Sequence, residues 1–294
     1  MIRLDQALVE RGLCESREKA KRSILAGQVR INGQPARKPS DSIAPDDKLN
    51  LDAGEKYVSR GGHKLEHALE HFQLDVKNLV AIDLGASTGG FTDCLLQRGA
   101  AKVFAVDVGR GQLAWKLRKD KRVVVMEKTN ARYLTPEQFL SVERGGERHS
   151  VRAVDRDETA GRRARSDAPS LVDLITIDCS FISLRKILPA AVPLLKAGGK
   201  IVALIKPQFE AGKAEADKGR GVITDAAIHD RVIQELRDFV STQAGPMSYG
   251  GGSLEASRGA LSHGAGLCWR DVVESPLLGP AGNKEFLVLI EKTR

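Results

Sequence analysis

Cysteine is scarce in this chain: 294 residues contain four, Cys14, Cys94, Cys179 and Cys268, and none of them in C-x-x-C spacing. That argues against a disulfide framework and against a zinc site, so the four read as reduced core residues of a cytoplasmic protein and no metal is expected. No apolar run reaches the roughly 18 residues that a membrane span needs. The opening Met1-Ile2-Arg3-Leu4-Asp5 is not a signal peptide, so no membrane partner is expected. Also missing is the G-x-G-x-x-G fingerprint of dinucleotide-binding turns, which weighs against an NAD enzyme. What the chain does have is positive charge. A net charge of +8 favours an anionic partner without by itself identifying nucleic acid. The length allows about two domains.

The organising stretch is residues 79 to 91, Leu-Val-Ala-Ile-Asp-Leu-Gly-Ala-Ser-Thr-Gly-Gly-Phe. Leu79 to Asp83 is a short apolar run ending in an acid, as in a buried parallel strand. Gly85, Gly89 and Gly90 predict a tight turn where a missing Cβ lets backbone approach a ligand. Phe91 to Arg98 continues as an apolar-periodic helix stopped by Gly99. A second strand, Lys102 to Val106, closes on Asp107, about 20 residues past the turn and placed to accept hydrogen bonds from an adenosine ribose. With the diphosphate fingerprint missing, this half-site points to S-adenosyl-L-methionine. Asp83, Gly85, Ser87, Gly89, Asp107 and Asn130 form the expected cofactor set. Thr129-Asn130, at the end of a third strand over Arg122 to Met126, reads equally well as a plain loop.

Residues 1–54 read as a separate small α+β domain. Leu4, Ala7 and Leu8 make one apolar helix face ended by Gly12, and Ser16 caps a second helix running to Ala26. Val29 to Gly33 is a strand entering an Asn-Gly hairpin turn. From Arg11 to Lys38 there are eight basic residues and two acids. A charge run is usually only a solvated face. Its concentration on one helix and the following hairpin favours RNA, with Arg17, Lys19, Lys21, Arg22, Arg30 and, further on, Arg60 as candidate contacts.

Residues 55–62 read as a linker, and 63–294 as an α/β domain whose alternating strands and helices predict a parallel doubly wound sheet. A helix opens at His63 with Leu65, Ala68, Leu69 and Phe72 as its buried stripe; spacing alone makes Lys64 a surface lysine. Further helices are expected over Gly111 to Arg118, Ser183 to Leu195 and Asp225 to Val240. Strands are expected over Leu171 to Ile177, Lys200 to Ile205, Leu267 to Val273 and Glu285 to Ile290. Two stretches, about 143–170 and 241–263, break the pattern. Seven arginines and six acids lie between Glu143 and Asp167 with almost no apolar periodicity. They read as surface insertions, with an RNA-contacting arm as the alternative for the first.

In such sheets ligands bind beyond the carboxyl ends of the strands. Asp83, Asp107, Asp178 and Lys206 all fall on that edge. The strings V-S-R-G-G-H-K-L, D-L-G-A-S-T-G-G-F-T-D, D-V-G-R-G-Q-L-A-W, K-T-N-A-R, D-C-S-F-I-S-L, K-P-Q-F-E and G-P-A-G-N-K-E-F-L resemble the TlyA family. S-R-E-K-A-K-R-S-I-L-A-G-Q-V-R-I-N-G likewise resembles the small RNA-binding domain of the ribosomal protein S-four type. The likeness spans nearly the whole chain and fails over the two polar stretches.

The resemblance implies an FtsJ-like catalytic domain with a Rossmann-like class I methyltransferase sheet, mostly parallel with an antiparallel last strand. It implies methyl transfer from S-adenosyl-L-methionine to the ribose 2′-oxygen of cytidine in ribosomal RNA, with ribosomal RNA or ribosomal subunits as partners. The sequence does not give the oligomeric state, and a monomer is favoured. It places the FtsJ-like Lys-Asp-Lys-Glu tetrad on Lys64, Asp178, Lys206 and Glu285. A free lysine titrates near ~10.4, so a lysine base needs burial or a second ammonium nearby. Lys206 is the expected base, Lys64 holds the oxygen, and Asp178 and Glu285 orient the lysines. Two other readings remain at this stage. One is a ribosome-binding factor that keeps the shell without catalysis; the other is the haemolysin activity whose label attaches to the family.

Overall fold

A computed structural model describes residues 2–52, 55–144, 172–212, 215, 221–242, 266–279 and 281–293. The ends of the two polar stretches, 143–144 and 241–242, continue helices, and the rest of both expected insertions lies outside the described residues. The chain divides into two compact units, Met1–Lys56 and Tyr57–Arg294.

In the first unit, β1 (Ile2–Arg3) leads into α1 (Leu4–Glu10) and α2 (Arg17–Leu25). β2 (Val29–Ile31), β3 (Gln34–Pro35), β4 (Ser42–Ile43) and β5 (Leu49–Leu51) follow. Leu4, Ala7, Leu8, Ala20, Ile24 and Val29 form its core. Ser16 caps α2 by accepting the Lys19 N–H at 3.2 Å. The β2–β3 turn needs two residues with positive φ, and Asn32 at +52° and Gly33 at +84° supply them.

The expected linker is only partly a linker. Tyr57 is 1% exposed in the core of the second unit. Val58 donates its N–H to Asp93 Oδ2 at 2.9 Å. A Cβ at Gly62 would lie 2.2 Å from the Tyr57 ring, so glycine lets the ring close over the start of α3 (Gly61–His71). Residues 57–62 therefore belong to the second unit, because an aromatic anchor fastens them there.

Among the described residues, seven strands of the second unit form one sheet. They are β6 (Val80–Leu84), β7 (Lys102–Val106), β8 (Val123–Met126), β9 (Val172–Ile177), β10 (Leu195–Ile205), β11 (Leu267–Glu274) and β12 (Phe286–Lys292). Their order is β11-β12-β10-β9-β6-β7-β8. Pairing from β10 through β8 is parallel, while β12 runs antiparallel to both β10 and β11. Successive side chains on a strand point to opposite faces. Val103 and Ala105 thus join one core with Leu65 and Leu69 of α3 and Leu95 of α4 (Gly90–Gln97), and Phe104 and Val106 join the other. That second core is covered by α7 (Leu184–Ala191) and the helix Ala226–Thr242, after the short α5 (Trp115–Arg118) and α6 (Pro136–Arg144).

The larger differences from the sequence reading are β10, which begins at Leu195 rather than Lys200, and two helices. The helix expected to reach Leu195 stops at Ala191 and passes into a 3₁₀ turn, Val192–Leu194, containing Pro193, which has no N–H to continue the ladder. α5 is one turn long, and the residues from Gly111 to Ala114 form a loop. Among the described residues, no helix is long and apolar enough to cross a membrane.

Candidate active site

Register fixes the floor of the site. Ile205 of β10 lies opposite Phe286 of β12, so the residues just beyond, Lys206 and Glu285, emerge side by side at the carboxyl edge. On the other flank Ala203 pairs with Ile177, and Asp178 leaves β9 next to Lys206. Lys206 Nζ lies 2.6 Å from Asp178 Oδ1 and donates to Ser180 Oγ at 2.9 Å. Lys64, from the inner face of α3, is ion-paired with Glu285 Oε2. Neighbouring strands stand about 4.8 Å apart, so two lysine–carboxylate pairs occupy adjoining positions on one edge.

The pairs differ in their surroundings. The Glu285 and Lys64 side chains are 1% and 7% exposed, whereas Asp178 is 26% exposed, so the Lys206 pair faces the open side. The reading of Lys64 as a surface lysine is corrected here: α3 turns it inward between Gly62 and Leu65, which are both buried. Asn283, 1% exposed, braces the Glu285 segment by accepting from Ile223 N at 2.8 Å and donating to Gly221 O at 2.8 Å. Gly279 brings that loop over the carboxylate, since a Cβ there would lie 2.5 Å from Glu285 Oε1. Ser180 and Asn283 escaped the sequence reading. Their signal lay only in their nearness to Asp178 and Glu285 in D-C-S-F and G-N-K-E-F-L.

The glycine turn lies between β6 and α4. Asp107 accepts the N–H of Ser87 at 2.8 Å and of Gly109 at 2.7 Å, one on each oxygen. Each oxygen keeps a second lone pair. Ser87 and Thr88 are exposed at the tip. The glycines, expected to admit a ligand, chiefly admit protein. A Cβ at Gly85 (φ +85°) would sit 2.7 Å from the Asp178 carbonyl oxygen. One at Gly89 (φ +96°) would sit 2.3 Å from Leu117 Cδ1. The turn is thereby welded to the end of β9 and to α5.

Asp83, also in the expected cofactor set, lies behind the turn. It is fully enclosed, and its oxygens accept the Thr92 N–H at 3.0 Å, the Thr92 hydroxyl at 2.7 Å and the Thr176 hydroxyl at 3.1 Å. Burial pushes this carboxyl up to about 7 against those bonds. It braces the start of α4 from behind. Asn130 is exposed and accepts the Arg132 N–H at 3.0 Å, capping a 3₁₀ turn. Burial raises the Cys179 thiol to about 12.

In the first unit the basic candidates divide. Arg17 donates to buried Asp5 at 3.0 Å, Lys19 to Glu15 at 2.9 Å, and Arg30 to Asp52 at 2.9 Å. Arg3, and Arg17 after it, hold the Asp5 carboxyl down at about 2 despite its burial. Arg17 is therefore committed first to the fold. Lys21 and Arg22 are exposed on α2. Arg60, exposed in the second unit, donates to the Leu278 carbonyl at 2.7 Å.

A parallel sheet closed by an antiparallel strand, with a glycine turn after its first strand and an acid after its second, is the Rossmann-like sheet of class I methyltransferases. Comparison with known proteins agrees. Residues 57–247 match the FtsJ-like methyltransferase family and residues 2–49 the S4 domain. The chain is 43% identical over 287 residues to YqxC of Bacillus subtilis strain 168, labelled an rRNA methyltransferase, covering 97% of this chain and 84% of that one. It is 41% identical over 290 residues to the 16S/23S rRNA (cytidine-2'-O)-methyltransferase TlyA of Mycobacterium tuberculosis, covering 97% and 88%. A solved, hemolysin-labelled structure from Streptococcus thermophilus has a TM-score of 0.63 at 39% identity, over 99% of this chain and 88% of that one. The chain belongs to the TlyA family of FtsJ-like methyltransferases.

Proposed function

We propose that this enzyme methylates the ribose 2′-oxygen of cytidine in ribosomal RNA, using S-adenosyl-L-methionine. The observation that carries the reading is the pair of buried lysines, Lys64 from α3 and Lys206 from the end of β10, each held by its own carboxylate at the carboxyl edge of the sheet. The residues of that turn fit the cofactor. Asp107 has lone pairs to spare for ribose hydroxyls, and the N-terminus of α4 favours a carboxylate. The bound cofactor supplies an electrophilic methyl on a sulfonium.

The chain's own residues prepare the other reactant. A 2′-hydroxyl is a weak acid, so attack requires a proton acceptor and alignment. Lys206 Nζ, on the open side, first gives up its ammonium proton to solvent and, as the neutral amine, takes the hydroxyl proton, while Asp178 and Ser180 fix the direction of that nitrogen. Lys64, locked by Glu285, donates to the same oxygen and holds it in line. Lys21 and Arg22 of the S4 domain supply phosphate contacts that raise affinity without reading sequence.

Tritiated methyl transfer onto each purified ribosomal subunit, followed by mapping of alkali-resistant positions, tests the reaction and its target. Label that stays absent from both subunits, despite cofactor binding, would leave a non-catalytic ribosome-binding factor. Asp107→Ala should weaken S-adenosyl-L-methionine binding at least about tenfold, the loss of roughly one charge-assisted hydrogen bond. An unchanged dissociation constant by calorimetry removes Asp107 from the cofactor set.

A further inference from the structure

Trp115 stands 68% exposed and the nearby Val108 67% exposed, in a chain with two tryptophans. Isolated apolar surface residues are ordinary, but this one has company. Leu113 and Leu117, two residues to either side, are buried at 6% and 3% and fill the space left by the missing Cβ of Gly89. α5 therefore commits its inner side to the glycine turn and presents the indole outward. Lys119 Nζ lies 4.6 Å from the centre of the indole ring. Between Arg110 and Arg122 there are six basic residues and one acid. Three of the six are neutralised locally: Lys116 by Asp93, Arg118 by Glu127 and Arg122 by Asp120. Arg110, Lys119 and Lys121 are exposed and form no ion pair among the described residues.

We propose that Trp115, Lys119, Arg110 and Lys121 form an RNA contact of the methyltransferase unit. An unpaired base of the substrate stacks on the indole, and neighbouring phosphates lie against the three cations. This rests on the reading that the substrate is RNA. Position supports it. Asp107, where the Arg110 loop begins, lies three strand spacings from Lys206 along the carboxyl edge, about 15 Å. A strand of RNA with its ribose at Lys206 reaches that far within a few nucleotides. The chemistry is that of sequence-tolerant single-strand binding, since every base offers a face to an aromatic ring and every phosphate a charge to a lysine. The contact thus adds affinity and orientation, while the choice of nucleotide is made elsewhere.

The test uses the full-length protein, purified ribosomal subunits as RNA substrate, and steady-state methylation at several salt concentrations. Trp115→Ala should raise KM for the subunit at least about fivefold, the low end of one lost stacking contact. The loss in kcat/KM should fall in KM, with the cofactor dissociation constant unchanged. Trp115→Phe should recover most of the affinity. Lys119→Ala and Lys121→Ala should each flatten the salt dependence of binding by about one phosphate contact. An unchanged KM in Trp115→Ala overturns the proposal. So does a weakened cofactor affinity, or a change in mass by light scattering, which would make the indole a contact between copies. If the unaltered chain transfers no methyl group, the catalytic reading fails alone. Equilibrium binding of labelled ribosomal RNA to the Trp115→Ala and unaltered chains then still decides the indole contact.

Discussion

Replacing Lys206 with Met should abolish methyl transfer, with kcat falling about 10²–10⁴-fold, the usual share of a positioned proton acceptor. Methionine matches the stem of the lysine and keeps the packing at a side chain only 9% exposed. What disappears is the nitrogen 2.6 Å from Asp178 and 2.9 Å from Ser180. Asp178 is left without its partner, but at 26% exposure water can solvate it, so the fold should survive. Cofactor affinity should also survive, because Asp107 and Ser87 belong to the turns after β7 and β6, whose geometry does not depend on Lys206. Tritium transfer and calorimetry on the same preparation separate these outcomes. Retained turnover would strip Lys206 of its role.

Lys64→Met should act differently, through stability. Glu285 is 1% exposed, and Lys64 is the cation that balances it. Removing one member of a buried pair costs about 3–5 kcal/mol, because the remaining charge stays buried and uncompensated. For a unit of this size the melting temperature should fall on the order of 10 °C. The double variant Lys64→Met, Glu285→Gln should recover most of that loss while remaining inactive. If the single variant melts like the unaltered protein, Glu285 is not dependent on Lys64. The contrast with Lys206→Met rests on one physical difference, the access of water to the carboxylate left behind.

Strand ends were readable in advance because a buried parallel strand is a continuous apolar run and any charge that ends it marks the carboxyl edge. Asp107, Asp178 and Lys206 emerge where that logic puts them. Lys64 was not readable from helical spacing, since its burial depends on Glu285, a partner 221 residues away in sequence. The glycines were recognisable as a turn, but not the reason for them. That Gly85 and Gly89 make room for Asp178 and Leu117 depends on which strand and helix come to lie beside the turn. The bonds of Asp83 to Thr92 were hidden for a related cause: an acid near a strand end looks the same in sequence whatever element lies beside it. Tyr57 drew a linker into the second unit through one aromatic ring, a contact that composition does not announce.

The Lys64–Glu285 pair also sets an order of events. One member lies in the first helix of the methyltransferase unit and the other just before its last strand, 221 residues later. While the chain is being synthesised, the S4 domain has all its residues long before Glu285 leaves the ribosome. For most of translation the nascent polypeptide holds an RNA-binding head with no finished centre behind it, and a stop codon shortly before position 285 would make that state permanent.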